Sequence, residues 1–88
     1  MTDLEDAIEQ CRAQLERAVR DAGHVVTGDG RVSEEIAARL IGISTRHLRR
    51  LRHLGELTAH RLGVNGARVS YRLREVARFI ESTRDTAE

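Results

Sequence analysis

The chain has 88 residues, a formal net charge of +1, a single cysteine, 40% apolar and 33% charged side chains. Those values fit one small domain with a thin core and argue against a wholly disordered chain or an internal disulfide. No apolar run nears the roughly 18 residues of a membrane span, and the start lacks the basic-then-apolar layout of a secretory signal, so the expected setting is cytoplasmic.

The charge is unevenly placed. All 15 basic residues are arginine; residues 1–30 carry a net of −4, residues 31–80 a net of +7 and residues 81–88 a net of −2. Between Ser44 and Arg74 the only acid is Glu56. A balanced protein with one basic face is the expectation.

Residues 1–23 form the first unit, with a helix over residues 3–22. Leu4, Ile8, Cys11, Leu15, Ala18 or Val19, and Ala22 recur at spacings of three and four, which gathers them on one side of a helix, and Gly23 supplies a stop. Part of this set also fits a heptad seam. The helix therefore either docks on its own domain or self-associates, through Leu4, Ile8, Cys11, Leu15 and Val19. A glycine-punctuated connector, residues 24–32, follows, with a short strand at Val25–Val26 or Arg31–Val32. Its Gly-Asp-Gly reads as a turn, because it lacks the GK[ST] ending of a phosphate loop and the spacing of a dinucleotide fingerprint.

Residues 31–83 form the main domain, and residues 84–88 a tail. Ser33 is a helix N-cap with Glu34 and Glu35 well placed in the first turn. The helix from Glu34 to Ile41 breaks at Gly42, where a tight turn needs positive φ. Ser44 caps a second helix that runs to about Leu54 and is ended by Gly55. Two helices joined by a short turn containing glycine have the layout of a helix-turn-helix. Ala37, Ile41, Ile43, Leu48 and Leu51 are placed to hold them together, and Ala38 is small where they approach. In "LTAHRLGVNGARVSYRL", Asn65-Gly66 signals a hairpin turn between strand-like alternations. "REVARFIEST" reads as a last helix with Val76, Phe79, Ile80 and Thr83 on one side. The fold class is mainly α with a small β-hairpin wing: a winged helix-turn-helix preceded by an extra amphipathic helix.

On a helical wheel, Leu48, Leu51 and Leu54 fall on one arc of the second helix. Arg46, Arg49, Arg50, Arg52, Thr45 and His53 fall opposite, and His47 lies on the apolar side as a packing residue. A solvated face normally mixes signs, whereas no acid occurs from Ile36 through Gly55. A phosphate-facing role explains the excess. If Asn65-Gly66 is a two-residue loop, His60 opposes Tyr71 and Leu62 opposes Val69. Leu62, Val69, Tyr71 and Leu73 then point inward, while Arg61, Arg68 and Arg72 project together from the outer face, as expected of a wing that clamps the DNA backbone.

"RVSEEIAARLIGISTRHLRRLRHLGELTAHRLG" followed by "VSYRLREVARFI" resembles the winged helix-turn-helix of the excisionase and MerR-like DNA-binding superfamily. The matching elements are Val32-Ser33, Ala37 to Leu40, Gly42-Ile43-Ser44, Gly55-Glu56-Leu57, Ala59, Arg61 and Tyr71-Arg72-Leu73. The resemblance covers about fifty residues and implies that Thr45, Arg46, Arg49, Arg50 and His53 enter or flank the major groove. It also implies that Arg61, Asn65-Gly66 and Arg68 touch the backbone or minor groove. Thr58 stands where family members often have proline, Leu48 and Leu51 where they often have an aromatic, and the first helix lies outside the pattern.

The expected partner is double-stranded DNA, bound by a homodimer or a cooperative array, with a recombinase, polymerase or terminase as a further protein partner. The expected role is a small phage or mobile-element transcriptional regulator, or an excisionase-like directionality factor in DNA recombination. A protein-interaction module, or a DNA-packaging adaptor resembling a terminase small subunit, is the alternative. No cofactor, metal or catalysis is expected: His24, His47, His53, His60 and Cys11 lack ligand spacing, and no nucleophile–base pair stands out. The two aromatics, Tyr71 and Phe79, offer little stacking for single strands.

Overall fold

A computed structural model describes residues 3–62 and 68–83. Four helices and three short strands follow in the order α1 (Leu4–Asp21), β1 (Arg31–Ser33), α2 (Glu34–Ile41), α3 (Thr45–His53), β2 (His60–Leu62), β3 (Arg68–Arg72) and α4 (Leu73–Ser82). The fold is mainly helical with a small antiparallel sheet. It is a winged helix-turn-helix, formed by α2, α3 and the β2–β3 wing, preceded by the extra helix α1. No helix among the described residues is long and apolar enough to cross a membrane.

Local chemistry sets the helix limits. The Asp3, Ser33 and Ser44 side chains accept from the amides of Asp6 (2.9 Å), Ile36 (3.3 Å) and His47 (3.1 Å), each satisfying a donor that the first helical turn leaves without a partner. Between α2 and α3 the chain turns at Gly42, whose φ of 90° is left-handed; its amide and that of Ile43 both bond the Ala38 carbonyl.

The core joins Val19 of α1, Val32 of β1, Ala37 and Ala38 of α2, Leu48 of α3, Leu57, Tyr71 of β3, and Leu73 and Val76 of α4. Ile41, Ile43 and Leu51 pack half-buried against it. The last helix buries Leu73, Val76 and Ala77. Thr83, expected on its packed face, is exposed just past the helix end, its hydroxyl bonded to the Phe79 carbonyl.

α1 lies against α4 of its own chain. Ile8 and Val19 are fully buried, Cys11 and Leu15 half-buried, and Leu4 is 53% exposed. Ala18 and Ala22, which a heptad seam would use, face solvent. The buried stripe therefore follows the 3.6-residue period of a helix on a globular surface, not the 3.5-residue period of a coiled coil. Ion pairs line its outer side: Arg12 bridges Glu9 (2.6 Å) and Glu16 (2.7 Å), Arg20 pairs with Glu16, and Glu5 reaches Arg74 of α4.

The sheet order is β1-β3-β2, with β3 central. Of the two expected positions for a strand in the connector, Arg31–Ser33 forms one, pairing Val32 with Tyr71 on the inner face. The wing register differs from the expectation by one residue: His60 opposes Ser70, Arg61 opposes Val69 and Leu62 opposes Arg68. The described pairing ends at Leu62 and Arg68. The Ser70 hydroxyl donates to the His60 carbonyl at 3.1 Å, holding that pair opposite. Arg61 thus shares the face of Val69 and Tyr71, not the outer face of Arg68 and Arg72. On the outer face Arg31 lies over Ser70, donating to its hydroxyl at 3.3 Å, which is why Ser70 is 2% exposed. The Asn65-Gly66 turn, the inward Leu62 side chain and the tail lie outside the described residues.

Candidate nucleic-acid interface

α3 is seated by Leu48, which is fully buried, with Leu51, Thr45 and Arg52 half-buried on either side. The seated edge therefore includes the stem of Arg52, whose guanidinium lies near the Tyr71 phenol and whose Nε is buried with no partner among the described residues. Seating α3 on Arg52 as well as the leucines rotates the helix relative to the leucine-only expectation. His47, expected to pack, is turned out to solvent, and Leu54 at the C-cap is 66% exposed. Arg46, Arg49, Arg50 and His53 occupy the exposed side.

The expected contact residues fall into three groups around α3. Arg46 and Arg50 border a shallow depression with Ser44 and His47, and neither makes an ion pair with a described residue. Thr45 and Arg49 line a cleft of about 750 Å³ together with Arg68 of the wing and Glu34 of α2. At the far end of the helix, His53 shares a depression with Arg52 and Arg61. Arg61 and Arg68 thus flank opposite ends of α3, although they sit on different faces of the sheet. Arg72 is elsewhere, in a depression with Arg12, Arg20 and Arg74 on the α1 side. Asn65 lies outside the described residues.

Among the described residues, one acid distant in sequence reaches the acid-free stretch. Arg49 Nε donates to Glu34 Oε1 at 2.9 Å, and the Tyr71 hydroxyl donates to Glu34 Oε2 at 3.0 Å. Glu34 is 15% exposed by side chain, Arg49 58%, and Tyr71 is fully buried. Burial, and after it the adjacent Glu34 carboxylate, push the Tyr71 phenol up to about 12. The sequence shows Glu34 only as a favourable charge at a helix start. Its partner is 15 positions away, and no periodicity signals the pair.

In the connector, the Thr27 hydroxyl donates to Asp29 at 2.5 Å and accepts from the Arg31 amide at 2.8 Å. Asp29 also holds Arg31. The Thr27 hydrogen bond, followed by that from Arg31, lowers the Asp29 carboxyl to about 2. The Gly-Asp-Gly segment is a turn closed on its own side chains. Among the described residues no three His, Cys, Asp or Glu side chains converge as a metal site would require.

No family model matches the chain, and no curated protein or solved structure does.

Proposed function

We propose that this protein binds double-stranded DNA, laying the exposed side of α3 in the major groove with the wing strands on the backbone at either end. The observation that carries the reading is the solvent side of α3: Arg46 and Arg50 are exposed without ion pairs among the described residues, while Arg68 shares a cleft with Thr45 and Arg49, and Arg61 a depression with Arg52 and His53. Uncompensated like charge on a small domain opposes folding, and a polyanion relieves it. The residues shared with the excisionase and MerR-like superfamily point the same way. A small regulator, or a directionality factor acting beside a recombinase, fits a unit of this size. A cytoplasmic setting suits either role. One recognition helix covers few base pairs, so useful specificity requires two or more copies on adjacent sites.

The test is duplex binding followed by fluorescence anisotropy across a salt series, with random DNA as ligand. Arg46, Arg50, Arg61 and Arg68 on phosphates would give a log–log slope of about −3.6, at roughly 0.9 per contact. No binding at moderate salt refutes the reading. It would favour the alternative in which the arginines meet an acidic protein partner.

A further inference from the structure

The arginines on the exposed side of α3 differ in what holds them. Arg46 and Arg50 project without an ion-pair partner among the described residues. Arg49 is gripped: its Nε is bonded to Glu34 Oε1 at 2.9 Å, Glu34 Oε2 accepts from the Tyr71 hydroxyl at 3.0 Å, and the Tyr71 ring is fixed in the core. The chain of contacts runs from the hydrophobic interior through a phenol and a carboxylate to one guanidinium.

We infer that Glu34 is a positioning residue for base recognition, holding Arg49 by Nε so that its Nη1 and Nη2 present a fixed fork to O6 and N7 of a guanine in the major groove. The inference rests on the DNA-binding reading above and assigns base reading to Arg49 and phosphate contact to Arg46 and Arg50.

Three physical points carry it. A guanidinium reads guanine through two parallel N–H donors. A bond at Nε leaves the terminal pair, and those nitrogens of Arg49 have no hydrogen-bond partner among the described residues. An unheld arginine loses rotamer freedom when it binds, which weakens the contact on the order of 2- to 12-fold; a side chain already ordered in the free protein avoids most of that loss. The carboxylate also balances the Arg49 charge locally, so Arg49 adds little to long-range attraction for phosphate, whereas Arg46 and Arg50 keep their full charge. Thr45, one turn earlier, lines the same cleft.

The experiment selects the best-bound duplexes from a randomised library with the full chain, then measures affinity for that duplex and for versions with single G·C pairs replaced by A·T. The expected result is one guanine whose replacement weakens wild type by about fivefold to a hundredfold. Arg49→Lys loses that preference with the salt slope unchanged. Glu34→Gln and Tyr71→Phe each reduce the preference by roughly 2- to 12-fold, on protein shown by circular dichroism to be folded; the slope stays constant for Tyr71→Phe and steepens by no more than about 0.9 for Glu34→Gln, which uncovers one cation. In the Arg49→Lys background, Glu34→Gln has no further effect on base preference, because Glu34 acts only through Arg49. The inference is overturned if wild type binds duplexes without selecting a guanine. It is equally overturned if Glu34→Gln strengthens binding to all duplexes alike and leaves the guanine preference intact, which would make Glu34 only a competitor of DNA. Absence of duplex binding by wild type is a different failure, that of the DNA-binding reading itself.

Discussion

Replacing Ile8 by valine tests where α1 belongs. Ile8 is fully buried, on a helix whose principal contacts are with α4 of the same chain. Ile8→Val removes one methylene from a packed site, with an expected loss of about 0.5–1.5 kcal/mol. A domain of this size unfolds with an m-value near the low end for urea, about 1 kcal/mol/M, so the midpoint should fall by about 0.5–1.5 M. Leu4, 53% exposed on the same helix, is the internal control, and Leu4→Val should move the midpoint by less than about 0.5 M. Urea titrations by circular dichroism at two protein concentrations a hundredfold apart complete the assay. Packing within one chain makes the midpoint independent of concentration; packing between chains raises it with concentration by mass action. A concentration-dependent midpoint, or an Ile8→Val effect no larger than that of Leu4→Val, would refute the placement of α1 on α4.

Other outcomes follow from the same geometry. Arg46→Gln and Arg50→Gln should each weaken all duplexes alike and reduce the salt slope by about 0.9, while Arg12→Gln, on the α1 side, should leave the slope unchanged in the same anisotropy series. Gly42→Ala should lower the melting temperature by roughly 4–8 °C, the effect of about 1 kcal/mol on a domain this small. An added Cβ there meets nothing within 4 Å, so the penalty comes from the φ of 90° alone. Because the folded Tyr71 phenol is held up to about 12 against an ordinary value of 10.0, its contribution to stability is complete below pH 10 and is lost as pH rises towards 12. Unfolding measured over that range should show a decline that Tyr71→Phe flattens. Tyr71 is the sole tyrosine, so tyrosinate absorbance reports it directly.

What the sequence made legible was local. Ser33 and Ser44 as caps, Gly42 and Gly55 as stops, and the amphipathic first helix are each decided within a few residues, by side chains competing for the nearest backbone donors or by a φ that only glycine adopts readily. The wing register is not legible, because Asn65-Gly66 suggests a turn without fixing the pairing of the strands, and a shift of one residue moves Arg61 to the other face of the sheet. The leucines alone do not give the orientation of α3: the half-buried stem of Arg52 contributes to its seated edge and turns His47 outward. Glu34 was hidden for a different reason. An absence of acids along a segment says nothing about acids that the fold brings across to it, and Glu34 meets Arg49 only because the turn at Gly42 lays α2 beside α3.

The pairing of α1 with α4 also imposes an order on folding. During synthesis α1 is made before the turn, the helix pair and the wing, and its partner helix only after them. An 18-residue amphipathic helix is marginal by itself in water, and the Ile8–Val19 stripe gains its principal cover within the described fold only from α4. Closing so long a loop is entropically unfavourable and slow compared with forming α2 and α3 side by side. The contacts of α2 with α3 are short in sequence, whereas the clasp of α1 on α4 joins the two ends of the described fold and closes its longest loop.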